Sequence, residues 1–371
     1  MSTYHEEFAK SEPAATLRAQ ITEAVTRPWA IMEMCRLHTH TILECGIDQL
    51  LPPSVQLLHG PGCAICITPL EIIDRAYAIA LKPDVIFCAY AELLRVPGTR
   101  CDLLDAKATG ADVRVVYSPT DCVLIAQENP SKKVVFFAVG SDNAVPENAL
   151  SVKRAAELGL TNYSLLSCQA HIPPICSAVL SRQEANVHGL LGPGDGCSII
   201  GYKDFEAISR EFNMPVVVTG LEPLDVLEGL YRCILQLEAG KHSVENQYTR
   251  AVTKAGSTES LHMINEVFQP ADFEWRLIGA IRNSGYQLRP QFKVFNAWEA
   301  FEVEQHPVRE APVCISDQIM FGLKKPWDCP AFGKSCSPQH PIGATMVSTE
   351  GTCALYHKFR WNEQDQSAKN A

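Results

Sequence analysis

The chain has 371 residues, of which 46% are hydrophobic and 20% are charged, so it can bury a sizeable core. Acidic residues outnumber basic ones by 42 to 32, and the resulting net charge of −10, without any basic run, argues against nucleic-acid binding. The 15 cysteines are many for a soluble chain but too few for a disulfide scaffold. Because no signal peptide or membrane span is evident, we expect a cytoplasmic protein whose thiols are metal ligands, redox groups or core residues.

The first half of the chain alternates between helix and strand patterns. Residues 14–34 are predicted as helix with a break at Pro28, and this segment leads to Cys35. A helix is also predicted over residues 69–81. The predicted strands are residues 55–59, 84–89, 112–117 and 133–139. Strands separated by helical patterns indicate right-handed crossovers and a parallel sheet.

The same alternation repeats further along the chain. Helices are predicted over 147–159, 174–183, 203–212 and 223–240, and strands over 162–167, 187–192 and 216–220. We therefore expect two consecutive, similar α/β domains, residues 55–145 and 146–240, with ligand sites beyond the carboxyl ends of the strands. From about residue 241 the pattern loosens into polar helix and aromatic-rich turns, which indicates a separate, less regular domain with a solvated end after residue 358.

Cys63 and Cys66 form a CxxC motif directly after a predicted strand and a Gly-Pro-Gly turn. A helix is predicted to begin near Pro69, and a helix N-terminus lowers the pKa of a nearby thiol. The spacing also allows the two sulfurs to form a reversible disulfide. A redox role is therefore favoured over half of a zinc site, since the chain has no second CxxC.

Cys35 is followed closely by two imidazoles, those of His38 and His40. Thiolate and imidazole together suit iron, copper or zinc, and a histidine can also activate a cysteine. A buried cysteine beside two hydrogen-bonded histidines fits the same residues. Both interpretations stay open at this point.

Four cysteines in the C-terminal segment lie in a stretch rich in Pro and Gly. They are separated by 14, 6 and 16 residues and are Cys314, Cys329, Cys336 and Cys353. Four thiolates suit either a tetrahedral zinc ion or a [4Fe–4S] cluster, and the lack of paired CxxC knuckles favours the cluster. Most of the other cysteines are interpreted as core residues: Cys45, Cys88, Cys101, Cys122, Cys168, Cys176, Cys197 and Cys233.

Several separated motifs carry a resemblance to a known family. They are Met34-Cys35 with His38-Thr39-His40, LHGPGC at 58–63 with Cys66, LRVPG at 94–98, IPP at 172–174, VTGLEPLD at 218–225, and KKPWDCPAFGKSCSPQHPIGATMVSTEGTCALY from Lys324. From about residue 30 to residue 358 the chain resembles the HypD maturation factors of [NiFe] hydrogenases.

This resemblance implies a scaffold with redox activity, rather than a simple turnover enzyme, that assembles an iron centre carrying cyanide and carbon monoxide. It implies that Cys35 binds the transient iron, with His38 near enough to ligate it or move a proton. Cys63 and Cys66 would be the redox-active thiols. The [4Fe–4S] ligands would be Cys314, Cys329, Cys336 and Cys353.

The family also implies partners and a domain plan. The partners would be a small HypC-type chaperone and a HypE-type cyanide carrier, with no nucleic acid and no membrane. The plan would be two similar α/β domains and a third, irregular iron–sulfur domain built from both chain ends. In this chain those ends are a helical segment over residues 1–54 and the C-terminal residues 241–371.

The chain departs from the family pattern at predicted strand ends. Arg36-Leu37 stands for Gly-Thr, Ser141-Asp142-Asn143-Ala144 for Phe-Glu-Thr-Thr, Ser167-Cys168-Gln169 for Ser-His-Lys, and Pro193-Gly194-Asp195 for Pro-Gly-His. These changes leave an alternative, a diverged HypD-like thiol–disulfide oxidoreductase or an assembly factor for another metal site. A zinc protein without redox activity is a third hypothesis. His59 is interpreted as structural, and Glu350 as a turn residue or a neighbour of the cluster.

Overall fold

The computed structural model describes residues 3–182, 184, 186–304, 308 and 310–369. The outermost residues of the two predicted end segments, 1–2 and 370–371, lie outside this part of the chain. No helix within the described residues is long and apolar enough to cross a bilayer.

The described residues form eleven strands, labelled β1 to β11 in chain order. They are Trp29–Glu33, Val55–His59, Val85–Ala89, Asp112–Val115, Lys133–Ser141, Tyr163–Ala170, Gly189–Pro193, Val216–Thr219, Val244–Asn246, Phe268–Trp275 and Gly279–Leu288.

The same residues form seventeen α-helices, α1 to α17. They are Thr3–Lys10, Glu12–Ala24, Arg36–Glu44, Ile47–Leu50, Leu70–Ala80, Leu103–Ala108, Pro119–Glu128, Val145–Glu157, Ile172–Leu180, Gly194–Ile200, Lys203–Glu211, Pro223–Glu238, Thr258–Val267, Ala297–Ala300, Ser316–Met320, Ala344–Val347 and Thr352–Lys369. Short 3₁₀ helices occupy Ala91–Arg95, Pro290–Phe295 and Pro326–Asp328.

The first of two compact units comprises Met1–Cys63, Ile175–Ser257 and Ala311–Ala371. Its sheet has the order β2-β1-β7-β8-β9, and all neighbouring strands are parallel. The central strands β1, β7 and β8 are buried along their whole length, as expected for parallel strands covered on both faces. An apolar cluster that includes Ile21, Leu227 and Leu230 packs α2 and α12 in this unit.

The second unit comprises Ala64–Pro174 and Thr258–Glu310. Its sheet has the order β10-β11-β6-β5-β3-β4, in which β6, β5, β3 and β4 are parallel. The strands β10 and β11 form an antiparallel hairpin, and β11 pairs with β6 through Gly285 and Ala170.

The α/β class and the predominance of parallel strands are confirmed, but the two sheets are interleaved along the chain. The predicted domains 55–145 and 146–240 each contribute strands to both sheets. The segment Ala311–Ala371 belongs to unit 1 with the N-terminal residues, whereas residues 258–310 belong to unit 2. Strand periodicity shows where strands lie but not which ones pair, because parallel partners are joined by long crossovers. A separate iron–sulfur domain stays a prediction.

Two local expectations were wrong. Residues 29–33, predicted as the end of a helix, form β1, because a short apolar run fits a buried strand as well as a buried helix. The segment after residue 241, predicted as polar helix and turns, also contains β9 and the hairpin β10–β11. The seven predicted strands between residues 55 and 220 are confirmed, with ends that differ by a few residues.

Candidate functional site

The carboxyl ends of four neighbouring strands in unit 1 carry the residues of the candidate site. Cys35 follows β1, the turn Gly60–Cys63 follows β2, Asp195 follows β7 and Gly220 follows β8. This is the edge at which α/β sheets bind their ligands. The predicted strand before Cys63 is confirmed, whereas Cys35, expected after a helix, follows β1.

Cys35 is the N-cap residue of α3 and is only 3% exposed. Its sulfur lies 3.5 Å from Oδ1 of Asp195. Burial is the main reason why the pKa of the Cys35 thiol is raised well above its usual range, and the Asp195 charge adds to it. The backbone N–H groups of His38 and Leu37 act in the opposite direction. The resting group is therefore a neutral thiol beside a carboxylate.

Gly62 allows the turn after β2 to approach Cys35. A Cβ atom at position 62 would lie 2.6 Å from the Cys35 backbone nitrogen, closer than any side chain tolerates. Glycine at position 62 of the HGPGC sequence (59–63) is therefore required by the packing, because only a residue without a side chain lets the turn pass this close to the Cys35 backbone.

A buried carboxylate supports Cys35 from inside the sheet. Glu33, 1% exposed, accepts hydrogen bonds from the Cys35 backbone N–H at 2.8 Å and from Nδ1 of His59 at 2.9 Å. The Thr39 hydroxyl donates a short hydrogen bond to the same carboxylate. Three donors compensate for the cost of burying this charge.

The hydrogen-bond chain continues from His59 towards the C-terminal segment. Nε2 of His59 lies 3.0 Å from the hydroxyl of Tyr356, on α17. Nζ of Lys325 donates to the Leu57 carbonyl at 2.6 Å and lies 3.4 Å from the Tyr356 hydroxyl. Burial lowers the pKa of Lys325 to about 8. His59 is thus structural, as interpreted, but it also connects Glu33 to the helix that carries Cys353.

His38 points away from solvent and is fully buried. Its Nε2 lies 3.2 Å from the Thr219 carbonyl and 3.0 Å from the Gly220 carbonyl, so this nitrogen carries the hydrogen. Nδ1 has no hydrogen-bond partner among the described residues. His40, in contrast, lies 3.5 Å from Glu44 of the same helix. Of the two imidazoles, only His38 retains a buried nitrogen lone pair without a partner.

Arg36 and Glu350 form an ion pair at the rim of the site. Nη1 of Arg36 lies 2.7 Å from Oε2 of Glu350, and the side chains are 31% and 27% exposed. Burial lowers the pKa of Arg36, but the Glu350 carboxylate, with Cys63, Cys35 and Asp195 acting in the same direction, outweighs burial, and the pKa is raised overall. Glu350, left between two interpretations by the sequence, therefore has a defined partner.

The four C-terminal cysteines are brought together in unit 1. Cys314, Cys329, Cys336 and Cys353 line one small cavity with Gly343. Burial raises the pKa of Cys353, and the other three thiols act in the same direction. Among the described residues no group of three or more His, Cys, Asp or Glu side chains is close enough to hold a single metal ion. The shared cavity is the evidence that these cysteines form one site.

Hydrogen-bonding groups lie next to three of the four sulfurs. The Thr345 hydroxyl donates to Sγ of Cys353 at 3.0 Å, and the Ile342 N–H donates to Sγ of Cys336 at 3.4 Å. Sγ of Cys314 lies 3.0 Å from the Ser316 hydroxyl. Such contacts stabilise anionic sulfur and adjust the reduction potential of iron–sulfur clusters.

Cys63 and Cys66 are both buried, and Cys63 belongs to unit 1 whereas Cys66 belongs to unit 2. Within unit 2, the Thr68 hydroxyl donates a hydrogen bond to the Ala64 carbonyl at 2.9 Å. Sγ of Cys168 lies 3.7 Å from the same Thr68 hydroxyl. These contacts hold the segment after Cys66 against β6. The redox role of Cys63 and Cys66 stays a prediction.

Most of the remaining cysteines are core residues, as predicted. Cys101 is half-buried, and the others are buried: Cys45, Cys88, Cys122, Cys168, Cys176, Cys197 and Cys233. Burial raises the pKa of Cys168 to about 12, which suits an inert structural thiol.

Unit 2 carries a polar cluster at the ends of β5 and β6 that the sequence did not reveal. Asp142 is fully buried, and its Oδ1 lies 2.7 Å from Nδ1 of His171 and 2.7 Å from the Tyr286 hydroxyl. Gln169, also at a departure from the family pattern, accepts a hydrogen bond from Asn148 at 2.7 Å. The departures at Asp142 and Gln169 are therefore accommodated by hydrogen bonds.

Sequence reasoning also missed Glu33, Tyr356 and Lys325. A signal existed only for Glu33, a lone acidic residue within the apolar run WAIME, since a charge there must be buried and paired. Tyr356 and Lys325 gave no comparable signal.

Comparisons with known proteins agree with these motifs. A model of the HypD family, described as "Hydrogenase formation hypA family", matches residues 12–360. The hydrogenase expression/formation protein HupD of Azotobacter chroococcum mcd 1 is 40% identical over 365 residues, which cover 96% of each chain. The hydrogenase maturation factor HypD of Rhodobacter capsulatus is 39% identical over 350 residues, 93% of each chain. The HypD of Escherichia coli (strain K12) is 39% identical over 348 residues, 94% of this chain and 93% of that protein.

Proposed function

Because the chain belongs to the HypD family, we propose that it is a hydrogenase maturation factor, a scaffold on which an iron centre carrying cyanide and carbon monoxide is assembled. The observation that carries the proposal is the placement of Cys35 at the strand-end edge of unit 1, beside Asp195 and at the N-terminus of α3. Low-spin iron that carries cyanide and carbon monoxide favours a soft thiolate such as that of Cys35 as a further ligand.

In this proposal the iron is the cargo, and Cys35 is its anchoring thiol. Because burial raises the pKa of Cys35, iron binding must displace the thiol proton. Nδ1 of His38, buried and without a partner among the described residues, is the nitrogen suited to ligate the iron or to accept that proton. The Glu33 hydrogen bond to the Cys35 backbone keeps the thiol in position.

We further propose that Cys314, Cys329, Cys336 and Cys353 hold a [4Fe–4S] cluster. The residues fit this group, since four thiols line one cavity and two of them, Cys353 and Cys336, receive hydrogen bonds from Thr345 and the Ile342 N–H. When bound, the cluster would supply one-electron transfer. The protein would shield the cluster from solvent, because the cavity is also lined by three buried apolar side chains, those of Ile319, Phe332 and Met346.

Cys63 and Cys66 are proposed as the dithiol that supplies electrons for cyanide transfer. Reductive release of cyanide from a thiocyanate consumes two electrons and leaves a thiolate and cyanide. Oxidation of a dithiol to a disulfide provides two electrons and releases two protons. The partners proposed for this reaction are a small HypC-type chaperone and a HypE-type carrier that brings the cyanide as a thiocyanate.

The deciding experiment is assembly without oxygen, with the HypC-type and HypE-type partners present. Infrared bands of bound cyanide and carbon monoxide are expected on the wild-type complex and absent with Cys35→Ser. Cys66→Ser should retain the partners but lose the cyanide bands. Cys176→Ser, which alters another buried cysteine with no proposed role, is the matched control. Cyanide bands that persist in Cys35→Ser would contradict the anchoring role.

Metal analysis tests the cluster separately. The protein purified without oxygen should contain about four iron and four acid-labile sulfide per chain. A colourless protein with one zinc would contradict the cluster. Thiol–disulfide exchange activity without any cyanide bands would instead favour a free-standing oxidoreductase.

A further inference from the structure

Arg36 is the first residue of α3 and directly follows Cys35. Its Nη1 lies 2.7 Å from Oε2 of Glu350, which fixes one edge of the guanidinium. The side chain is 31% exposed, whereas Cys35 is only 3% exposed. Arg36 therefore lies at the rim of the site, between the buried thiol and solvent.

The opposite edge of the guanidinium retains its donors. An arginine has five N–H groups in a rigid planar fork. Within the described residues Nη1 of Arg36 pairs with Glu350, while Nε and Nη2 donate no hydrogen bond. A fork fixed by one carboxylate, with its other donors available, is suited to bind a further acceptor.

The charges around Arg36 indicate what that acceptor is. Besides Glu350, the groups close enough to act on the guanidinium are the carboxylate of Asp195 and the thiols of Cys63 and Cys35, which become negative only when they lose their protons, as on binding a metal. Sulfur and carboxylate attract a metal cation, so the metal belongs next to Cys35 and Asp195. A guanidinium repels a cation, and it therefore suits the anionic ligands that such a metal carries.

We propose that Arg36 determines specificity at this site by donating from Nε and Nη2 to the cyanide nitrogens of the iron centre assembled at Cys35. This inference rests on the proposed function. Cyanide binds a metal through carbon and leaves a nitrogen that accepts hydrogen bonds, so the fork and the thiol contact opposite ends of the same ligand. Where Arg36 stands, the family pattern has a glycine, and the donor is thus a property of this chain.

Binding of hexacyanoferrate(II), a stable iron complex with outward-facing cyanide nitrogens, tests this role by calorimetry without partners. The wild-type protein is expected to bind it, with Arg36→Met about tenfold weaker and Arg36→Lys in between, because lysine keeps the charge but not the fork. Arg154→Met is the matched control, since Arg154 is an exposed arginine on α8 that pairs with Glu157. Its affinity should equal that of the wild type.

Infrared spectra of the bound complex give a second readout. The C–N stretching band should shift further from its position in water on binding to the wild type than on binding to Arg36→Met, because the guanidinium replaces water as the donor to the cyanide nitrogen. Equal affinity and equal band positions in wild type and Arg36→Met would overturn the inference. Displacement by an equal concentration of sulfate would also overturn it, since the site would then recognise charge alone.

These outcomes separate the inference from the proposed function. If hexacyanoferrate(II) binding depends on Arg36 but the partners never produce cyanide bands, the maturation role fails and the anion site stands. If cyanide bands form on the wild-type complex but the probe binds Arg36→Met equally well, only the role of Arg36 fails. A far-UV spectrum and the iron content of Arg36→Met establish that the variant is folded.

Discussion

Nδ1 of His59 lies 2.9 Å from Oε1 of Glu33, and the two side chains, at the ends of the paired strands β2 and β1, are 2% and 1% exposed. The same carboxylate receives the Cys35 N–H, and the other nitrogen of His59 contacts Tyr356 on α17. The segment that carries Cys35, the proposed anchoring thiol, is therefore connected to the helix that carries Cys353 through buried hydrogen bonds within unit 1.

Glu33→Gln is expected to lower the free energy of unfolding by about 2–3 kcal/mol, because a neutral amide cannot accept from three buried donors. Glu44→Gln, which alters a half-exposed carboxylate on α3, should cost less than about 0.5 kcal/mol. Urea unfolding of both variants measures the difference. If the two variants were equally stable, the buried Glu33 carboxylate would make no net contribution to the free energy of unfolding.

The pH dependence of stability should reveal His59. Burial lowers the pKa of His59 below 6.5, Lys325 adds to this effect, and the hydrogen bond to Glu33 opposes it. As the pH falls through 6.5, the unfolded chain protonates His59 while the folded chain does not, so the unfolded state binds more protons and stability decreases. The slope attributable to His59 approaches about 1.4 kcal/mol per pH unit. Unfolding at several pH values from 7 to 5.5 should give a steeper decline for the wild type than for His59→Gln, and parallel curves would contradict this.

Gly343→Ala is expected to reduce cluster incorporation. A Cβ atom at position 343 would lie 2.0 Å from Sγ of Cys314 and 2.7 Å from the Ser316 hydroxyl, so the thiol must move away from the cavity. Iron and acid-labile sulfide should fall to less than about half of the wild-type content. Gly192→Ala, whose added Cβ meets its nearest atom at 3.5 Å, is the control and should keep the wild-type content. Full iron occupancy in Gly343→Ala would contradict a cluster bound at Cys314.

Thr345→Val should make the proposed cluster harder to reduce. The Thr345 hydroxyl donates to Sγ of Cys353, and this hydrogen bond stabilises the more negative, reduced state. Its removal is expected to lower the reduction potential by an amount on the order of tens of millivolts. Ser337→Ala, next to Cys336 but with a hydroxyl that accepts from the His340 N–H, is the comparison variant. A redox titration followed by visible absorbance measures both, and an unchanged potential in Thr345→Val would exclude this contact from the cluster environment.

The sequence motifs predicted which residues form the candidate site better than they predicted the order of the strands in the two sheets. The placement of Cys63 after a strand, and the proximity of four C-terminal cysteines, followed from local pattern and family resemblance, whereas Cys35 was expected after a helix and follows β1. The interleaving of the two sheets did not, since β1 pairs with β2 and also with β7, which lies more than 150 residues away in the chain. No local signal specifies a partner at that distance.

The sequence by itself determined the strands between residues 55 and 220 and the family, and it singled out the seven cysteines whose roles are proposed above. Only the tertiary structure decided which groups surround Cys35: Asp195 at 3.5 Å, the Glu33 carboxylate behind it and the Arg36–Glu350 pair at its rim. The physical reason is separation along the chain. His59 and Tyr356 are 297 positions apart, and Arg36 and Glu350 are 314 apart, so their hydrogen bonds exist only once the sheet has brought the strand ends and the C-terminal segment together.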